Sequence, residues 1–426
     1  MKARDIFLLF SIGLISLFSC NKGLADVENP VQAEEIAFLA GEAPAALTKA
    51  EEGYVTQVND FSLAFAGEVF AQESGSFVIS PVSLAYVLGL LAEGADGQTR
   101  QEITSALGFG ADDPEAVNRF CRDLMVLSSQ ADAQQVQVEI GNAVMTDASF
   151  SLSESFRRAA RGYYDADLLS LDFSGSEALR RINAWASERT HGHVPTVLHE
   201  VPAGAQAVFL NTLYLNASWG EVFENDNTVV SAFHPESGNA RKESMMRGIR
   251  ERGASFYAEN ETFQVAELPL GAERVEEAGY SMIFVLPRTG VSLEKALQAL
   301  SETGWTAVMQ TLRSTPMDIR LPKMDVRTDK QLNDILPALG IRSMFQDADF
   351  SRLSSQAFRV SLAKQVVSLT VNEEGVEGAA ATAISMETDS PDVPVITFVP
   401  FYADHPFLFA VRERTTGALL YLGCYR

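Results

Sequence analysis

Between Asn59 and Arg426 no break separates one domain from the next: helix-like and strand-like apolar stretches follow one another without a Pro-, Gly- or Ser-rich linker. A chain of 426 residues would suggest two or three domains by length alone. The missing linker argues instead for a single large α+β domain over 59–426. Phe61, Phe65, Val69 and Phe70 recur at helical spacing behind a cap at Asn59. A second apolar helix, capped by Ser80 or Ser83 with Pro81 in its first turn, reaches Leu91, and the turn Gly94–Gly97 ends it. Further helices are expected around 115–128, 151–160, 176–189, 292–300 and 328–339. Val136–Met145 and Ala207–Asn216 read as strands, the second central because it is nearly apolar throughout. Gln264–Leu270 and Tyr280–Leu286 flank the acidic turn Glu273–Gly279 as a hairpin would. Strands at 318–321, 360–371, 395–399, 407–411 and 419–422 complete the pattern.

Charge and the first residues narrow the setting. Hydrophobic residues make up 46% of the chain and charged residues 21%, enough apolar surface for a sizeable core. Lys and Arg number 33 against 56 Asp and Glu, a net charge of -23 that repels phosphate backbones and argues against a nucleic-acid partner. Lys2 and Arg4 precede an apolar run from Ile6 to Phe18, too short to span a bilayer comfortably and typical of an export signal. Leu17-Phe18-Ser19-Cys20 resembles the lipobox of bacterial lipoproteins. That likeness implies a signal peptide over 1–19, a lipid on Cys20, an acidic tether over 20–58, and a bacterial protein anchored to the envelope or surface. Membrane contact would then run through Cys20 alone. A plain secretory signal, with Cys20 incidental and the protein secreted, is the alternative. Cys121 and Cys424 are expected as buried free thiols, a bond between them being the lesser alternative.

A search for enzyme chemistry comes back empty. His191, His193 and His199 invite a zinc reading, but their spacing is poor and no His-Glu-x-x-His is present. No Gly-x-Ser-x-Gly elbow occurs, and neither Cys121 nor Cys424 has a basic setting that would activate a thiol. The chain is therefore expected to be no enzyme and to need neither metal nor cofactor.

The unusual segment is Asn372–Pro394: acidic, then small (Gly378-Ala379-Ala380-Ala381-Thr382-Ala383), then acidic and proline-bearing. A loop of this length between apolar strands suggests function. Small residues suit a chain that must slip between close-packed strands. Other landmarks share its order along the chain. They include Ser80-Pro81-Val82-Ser83, Gly94-Ala95-Asp96-Gly97-Gln98-Thr99, Ile182-Asn183-Ala184-Trp185 with Thr190–Val194, and Asn211-Thr212-Leu213-Tyr214-Leu215 with Trp219–Phe223. Leu321-Pro322-Lys323, Ala348-Asp349-Phe350-Ser351 and His405-Pro406-Phe407 follow. Together they resemble the serpin family over about 59–426.

The resemblance implies a serpin fold of three β-sheets and about eight or nine helices with an exposed reactive-centre loop at about 373–398. Serpins are suicide inhibitors of proteases, usually serine and sometimes cysteine: the protease cuts the loop, and the loop inserts into the central sheet before the acyl-enzyme hydrolyses. A monomer that inhibits an extracellular or envelope-encountered protease is the function implied. A non-inhibitory serpin-fold binding protein, whose loop is cut without trapping, is the alternative. The family pattern places the hinge at Glu373, Gly375, Val376, Gly378, Ala379, Ala380, Ala381 and Thr382, with Val376 facing inward. Gly378 departs from the more usual Ala. Counting along the loop gives Asp389-Ser390 as the reactive bond, with Met386 and Thr388 as competing sites. The absence of Lys and Arg from Asn372 to Phe401 argues against a trypsin-like target. Ser80, Ser83 and Asn211 match the polar shutter beneath the sheet, and Ala363 falls where the family often has His.

Overall fold

The computed structural model describes residues 38–110, 115–129, 135–376 and 397–426. In chain order the helices are α1 (Lys49–Gln72), α2 (Pro81–Gly94), α3 (Gly97–Ala106), α4 (Ala116–Ser128), α5 (Glu154–Tyr164), α6 (Ser176–Arg189), α7 (Leu293–Thr303), α8 (Trp305–Thr311) and α9 (Ile335–Ala338). The strands begin with β1 (Phe77–Ile79), β2 (Val136–Asp147), β3 (Ala166–Leu171), β4 (Ala207–Ser218), β5 (Val229–Phe233) and β6 (Arg241–Arg250). They continue with β7 (Phe256–Glu259), β8 (Phe263–Leu270), β9 (Tyr280–Pro287), β10 (Arg313–Ser314), β11 (Met317–Pro322) and β12 (Met324–Gln331). The last are β13 (Lys364–Val371), β14 (Gly375–Val376), β15 (Val399–Tyr402), β16 (Phe407–Glu413) and β17 (Leu419–Tyr425). All described residues lie in one compact unit, Ala37–Arg426.

These strands form three sheets. The seven-stranded one, in the order β1-β17-β16-β9-β8-β7-β10, carries much of the core. Every residue of β9 and β17 is buried, which accounts for their unbroken apolar runs. β8 and β9 pair antiparallel from Phe263↔Pro287 to Leu270↔Tyr280, the hairpin expected from the sequence. A four-stranded sheet runs β15-β11-β6-β5, and a six-stranded one runs β12-β13-β14-β4-β2-β3. In the six-stranded sheet β2 and β4 match over eleven positions and β12 and β13 over eight. Between those two blocks stands only β14, two residues long.

Four elements differ from the sequence expectation. Helix α1 starts at Lys49, inside the stretch expected as tether, because Thr48 and Glu51 form a reciprocal capping box. Asn59 is no cap: it lies buried in mid-helix, its Nδ2 donating to the Gly417 carbonyl at 2.9 Å and its Oδ1 accepting from the Leu419 amide at 3.2 Å. Residues 324–331 are strand rather than helix, since Met324, Val326 and Thr328 are buried in alternation with exposed Asp325, Arg327 and Asp329. The expected strand over 360–371 begins only at Lys364, and that over 395–399 is displaced to Val399–Tyr402.

Candidate functional site

The site is the cleft between β4 and β13, and its upper end is closed by a turn that the sequence builds locally. Asn372 accepts through Oδ1 from the amides of Glu374 (2.9 Å) and Gly375 (3.2 Å), while its own amide donates to the Gly375 carbonyl at 3.0 Å. An Asn that bonds its own following backbone makes a self-supporting turn. The turn sets Gly375 and Val376 between the two strands, with Val376 opposite Val371 on one side and Ala217 on the other. A side chain at Gly375 would put Cβ 2.0 Å from the Ala217 carbonyl oxygen, so only glycine fits. Val376 is buried, at 0% exposure.

Four residues from three parts of the chain fasten this turn. Glu373 meets Lys323 Nζ at 2.8 Å and accepts from Thr228 Oγ1 at 2.8 Å. Phe223 donates its amide to the Glu373 carbonyl at 2.9 Å. Trp219 gives its amide to the Glu374 carbonyl (2.9 Å) and its indole N–H to the Asn372 carbonyl (2.8 Å). Burial alone would raise the Glu373 pKa, but the bonds from Lys323, its own backbone and Thr228 outweigh it and hold the carboxyl below its usual range.

Below Val376 no described residue fills the cleft, which is largely apolar. It encloses about 130 Å³, flanked by Ala207–Leu213 of β4 and the chain from Val360 to Val366, and floored by α2. Val194, Val197 and Leu198, from the segment after α6, also line it. β4 also carries two buried side-chain oxygens with no hydrogen-bond partner, Asn211 Oδ1 and Thr212 Oγ1.

Ser80, Ser83 and Asn211, the residues expected at the shutter, are all hydrogen-bonded. The Ser80 hydroxyl lies 2.8 Å from that of Ser83 and donates to the Leu420 carbonyl at 2.8 Å. Asn211 Nδ2 donates to Asn142 Oδ1 at 2.8 Å, and Asn142 donates on to the Tyr164 carbonyl at 2.7 Å. Ala363 takes no part: its amide donates to Asn333 and its carbonyl accepts from Leu332, in the turn before β13. Gln365 is the shutter side chain on this strand, accepting from the Ser80 amide at 3.1 Å and donating to the Ser80 carbonyl at 2.8 Å. Strand alternation brings Gln365, two residues on, to the face that looks at Ser80.

The histidines have structural partners. His191 Nε2 is 3.1 Å from Glu139, and the rings of His191 and His193 lie 4.4 and 5.6 Å from that of Tyr214 on β4. Among the described residues no group of three or more His, Cys, Asp or Glu is placed to hold a metal. Cys121 and Cys424 are free and buried, and burial pushes their thiols up to about 12 and about 11. Several expected sites lie outside the described residues: Gly378, Ala379, Ala380, Ala381, Thr382, Met386, Thr388, Asp389, Ser390 and Cys20.

The family model described as "Serpin (serine protease inhibitor)" matches residues 56–426. The chain belongs to the serpin family. Its similar proteins span distant organisms. An uncharacterized serpin-like protein of Thermococcus kodakarensis is 28% identical over 88% of this chain and 85% of its own length. Serpin A3-1 of Bos taurus is 30% identical over 81% of this chain and 82% of its own length. Among solved structures, the thermophilic serpin tengpin in its native state superposes with a TM-score of 0.78, covering 91% of this chain and 98% of its own at 23% identity. Membership places this serpin among protease inhibitors rather than enzymes. Lys323, Thr228 and Gln365 are the functional-site residues of this serpin that sequence reasoning did not assign to the hinge or shutter. The Lys323 position was visible in Leu321-Pro322-Lys323, but nothing in a linear reading joins it to Glu373.

Proposed function

We propose that this serpin is an irreversible suicide inhibitor of a protease, serine type first, and that the cut loop inserts between β4 and β13. The observation that carries the reading is the slot itself: Gly375 and Val376 already occupy its upper end, and below them no described residue fills it. Val371↔Val376 and Val376↔Ala217 fix a register. Continued along the sequence, it would bring Gly378, Ala380, Thr382, Ile384 and Met386 to the inward side with Val376. The acidic residues Glu377, Glu387 and Asp389 would all fall on the outward side. No charge would be buried, and the inward residues begin small, so insertion meets neither a desolvation barrier nor a steric one at its start. Each step would also give the free edges of β4 and β13 hydrogen-bonding partners.

Asp389-Ser390 is the proposed reactive bond, with cleavage after Met386 or Thr388 as competitors. Export through the N-terminal signal, with a lipid on Cys20, would place the inhibitor at an envelope or in secretion; a Cys20→Ala variant that still sediments with membranes would refute the anchor. The inhibitory reading is tested by incubation with elastase-, subtilisin-, caspase- and trypsin-like proteases and a Glu/Asp-specific serine endopeptidase. A covalent complex that survives SDS is expected from at least one of them, and mass spectrometry of the released C-terminal peptide identifies the bond. Loop cleavage by one or more of them, with no complex from any, would instead favour a serpin-fold binding protein whose loop is cut without trapping.

A further inference from the structure

Behind the hinge turn lies a buried cation that the scheme above does not use. Arg250, the last residue of β6, is 2% exposed. Its guanidinium lies over the Phe223 ring at 4.3 Å. Nη2 donates to the Glu221 carbonyl at 2.7 Å and Nη1 to the Ile249 carbonyl at 3.1 Å, with the Glu221 carboxylate 3.5 Å from Nη1. Burial lowers the Arg250 pKa and raises that of Glu221, whose carboxylate nevertheless remains half exposed.

Gly248 makes the seat for this group. A Cβ there would stand 2.5 Å from Arg250 Nη1 and 3.1 Å from the Phe223 ring, so the stack needs a residue without a side chain. The residues braced in this way are the ones that hold the hinge. Glu221 and Phe223 lie in the short segment from Trp219 to Phe223, whose backbone amides at its two ends bond the carbonyls of Glu374 and Glu373. Trp219 and Phe223 also pack edge to face at 5.7 Å.

We propose that Arg250, seated over Gly248, is a positioning residue that keeps Trp219–Phe223 clamped on the hinge turn and thereby sets how fast the cut loop inserts. The physical ground is nucleation. The first residues of an inserting strand lose backbone freedom before most of their bonds form. A turn already pinned by Trp219 and Phe223 removes that cost, and the following residues then zip in pair by pair. Insertion competes with hydrolysis of the acyl-enzyme, so a looser clamp sends more molecules to the cut, untrapped product. The proposal rests on the insertion reading given above.

Arg250→Ala, Arg250→Lys and Gly248→Ala are compared with the wild type using a subtilisin-like protease. Three quantities are read: the rate of loop cleavage, the partition between covalent complex and cut serpin, and the gain in heat resistance sampled at intervals after cutting. Arg250→Ala and Gly248→Ala are expected to leave cleavage unchanged and to move the partition roughly three- to tenfold toward cut serpin, the range of one lost hydrogen bond. The gain in heat resistance should slow by a similar factor, and Arg250→Lys should fall between. If the variants lower the thermal midpoint of the uncut protein while partition and time course match the wild type, Arg250 is only a structural brace and the proposal fails. Should Arg250→Ala not fold, Gly248→Ala and Arg250→Lys carry the same comparison. If the wild type is cut without forming a complex, the inhibitory reading fails, yet the time course of heat resistance still decides the role of Arg250.

Discussion

The two ends of one cleft are built on opposite principles. At the upper end Lys323, Thr228, Trp219 and Phe223 converge on three consecutive residues, and nearly every polar group there has a partner. At the lower end apolar walls face one another, Asn211 and Thr212 keep unpaired side-chain oxygens, and Gln365 bonds the Ser80 backbone beneath. Polar contacts define a geometry, whereas an apolar slot only accepts what fits. Under the proposed insertion the difference would set a direction: a strand would enter from the fastened end and fill the unfastened one.

The largest expected effect breaks that direction outright. Val376→Arg would bury an unpaired cation at a fully enclosed position, a change of several kcal/mol. The covalent complex on a denaturing gel should disappear while loop cleavage continues; an unchanged complex yield would refute the inward placement of the hinge.

Acid should loosen the upper end selectively. The Glu373 carboxyl sits below its usual range in the folded protein, so its contribution is present above the unfolded pKa and lost as pH falls through the folded one. Heat stability of the uncut protein should decline from pH 5 to pH 3, and Glu373→Gln should flatten part of that decline. Identical profiles for the two proteins would show that Lys323 and Thr228 do not fasten the turn.

At the lower end Gln365→Ala removes both bonds to the Ser80 backbone and should lower stability by about 1–3 kcal/mol, read as a drop in the thermal midpoint. Loss of Gln365 should also hasten spontaneous insertion of the uncut loop on warming, whereas upper-end variants should slow insertion after cutting. Asn211→Leu should matter least, within about 1 kcal/mol, because it deletes an unpaired oxygen along with one bond to Asn142. A larger drop would mean that Asn211 holds the lower end as firmly as Gln365.

How much of this was legible in the sequence follows from the range of each interaction. Val376 stood out through the family resemblance of its segment, while the small residues after it lie outside the described residues; local patterning did more elsewhere. The hairpin of β8 and β9 was readable because strand patterning is local. Thr48-x-x-Glu51 was a helix-start signature in plain view, passed over because few large apolar residues surround it. Gln365 carried no local mark of its bonds to Ser80, which lies far away in sequence. Glu373 with Lys323, or Arg250 with Phe223, pairs residues far apart in sequence, and a single chain carries no mark of such pairs. The strand at 324–331 was missed although Met324, Val326 and Thr328 alternate with charged residues, since the acidic and basic side chains also suit an exposed helix face.

The pairing of Phe77 with Cys424 sets a timetable for biosynthesis. β1 lies near the start of the folded unit, but its neighbour β17 is made almost last, and β16 and β17 occupy the interior of the seven-stranded sheet. On a ribosome that sheet must wait for nearly the whole chain, whereas β2, β3 and β4 of the other sheet are available long before. Contacts this distant in sequence form slowly and leave strand edges exposed meanwhile. The edges of β1 and β9 therefore stay on offer to neighbouring nascent strands until β16 and β17 emerge, so the seven-stranded sheet runs a race against mispairing that the six-stranded sheet is spared.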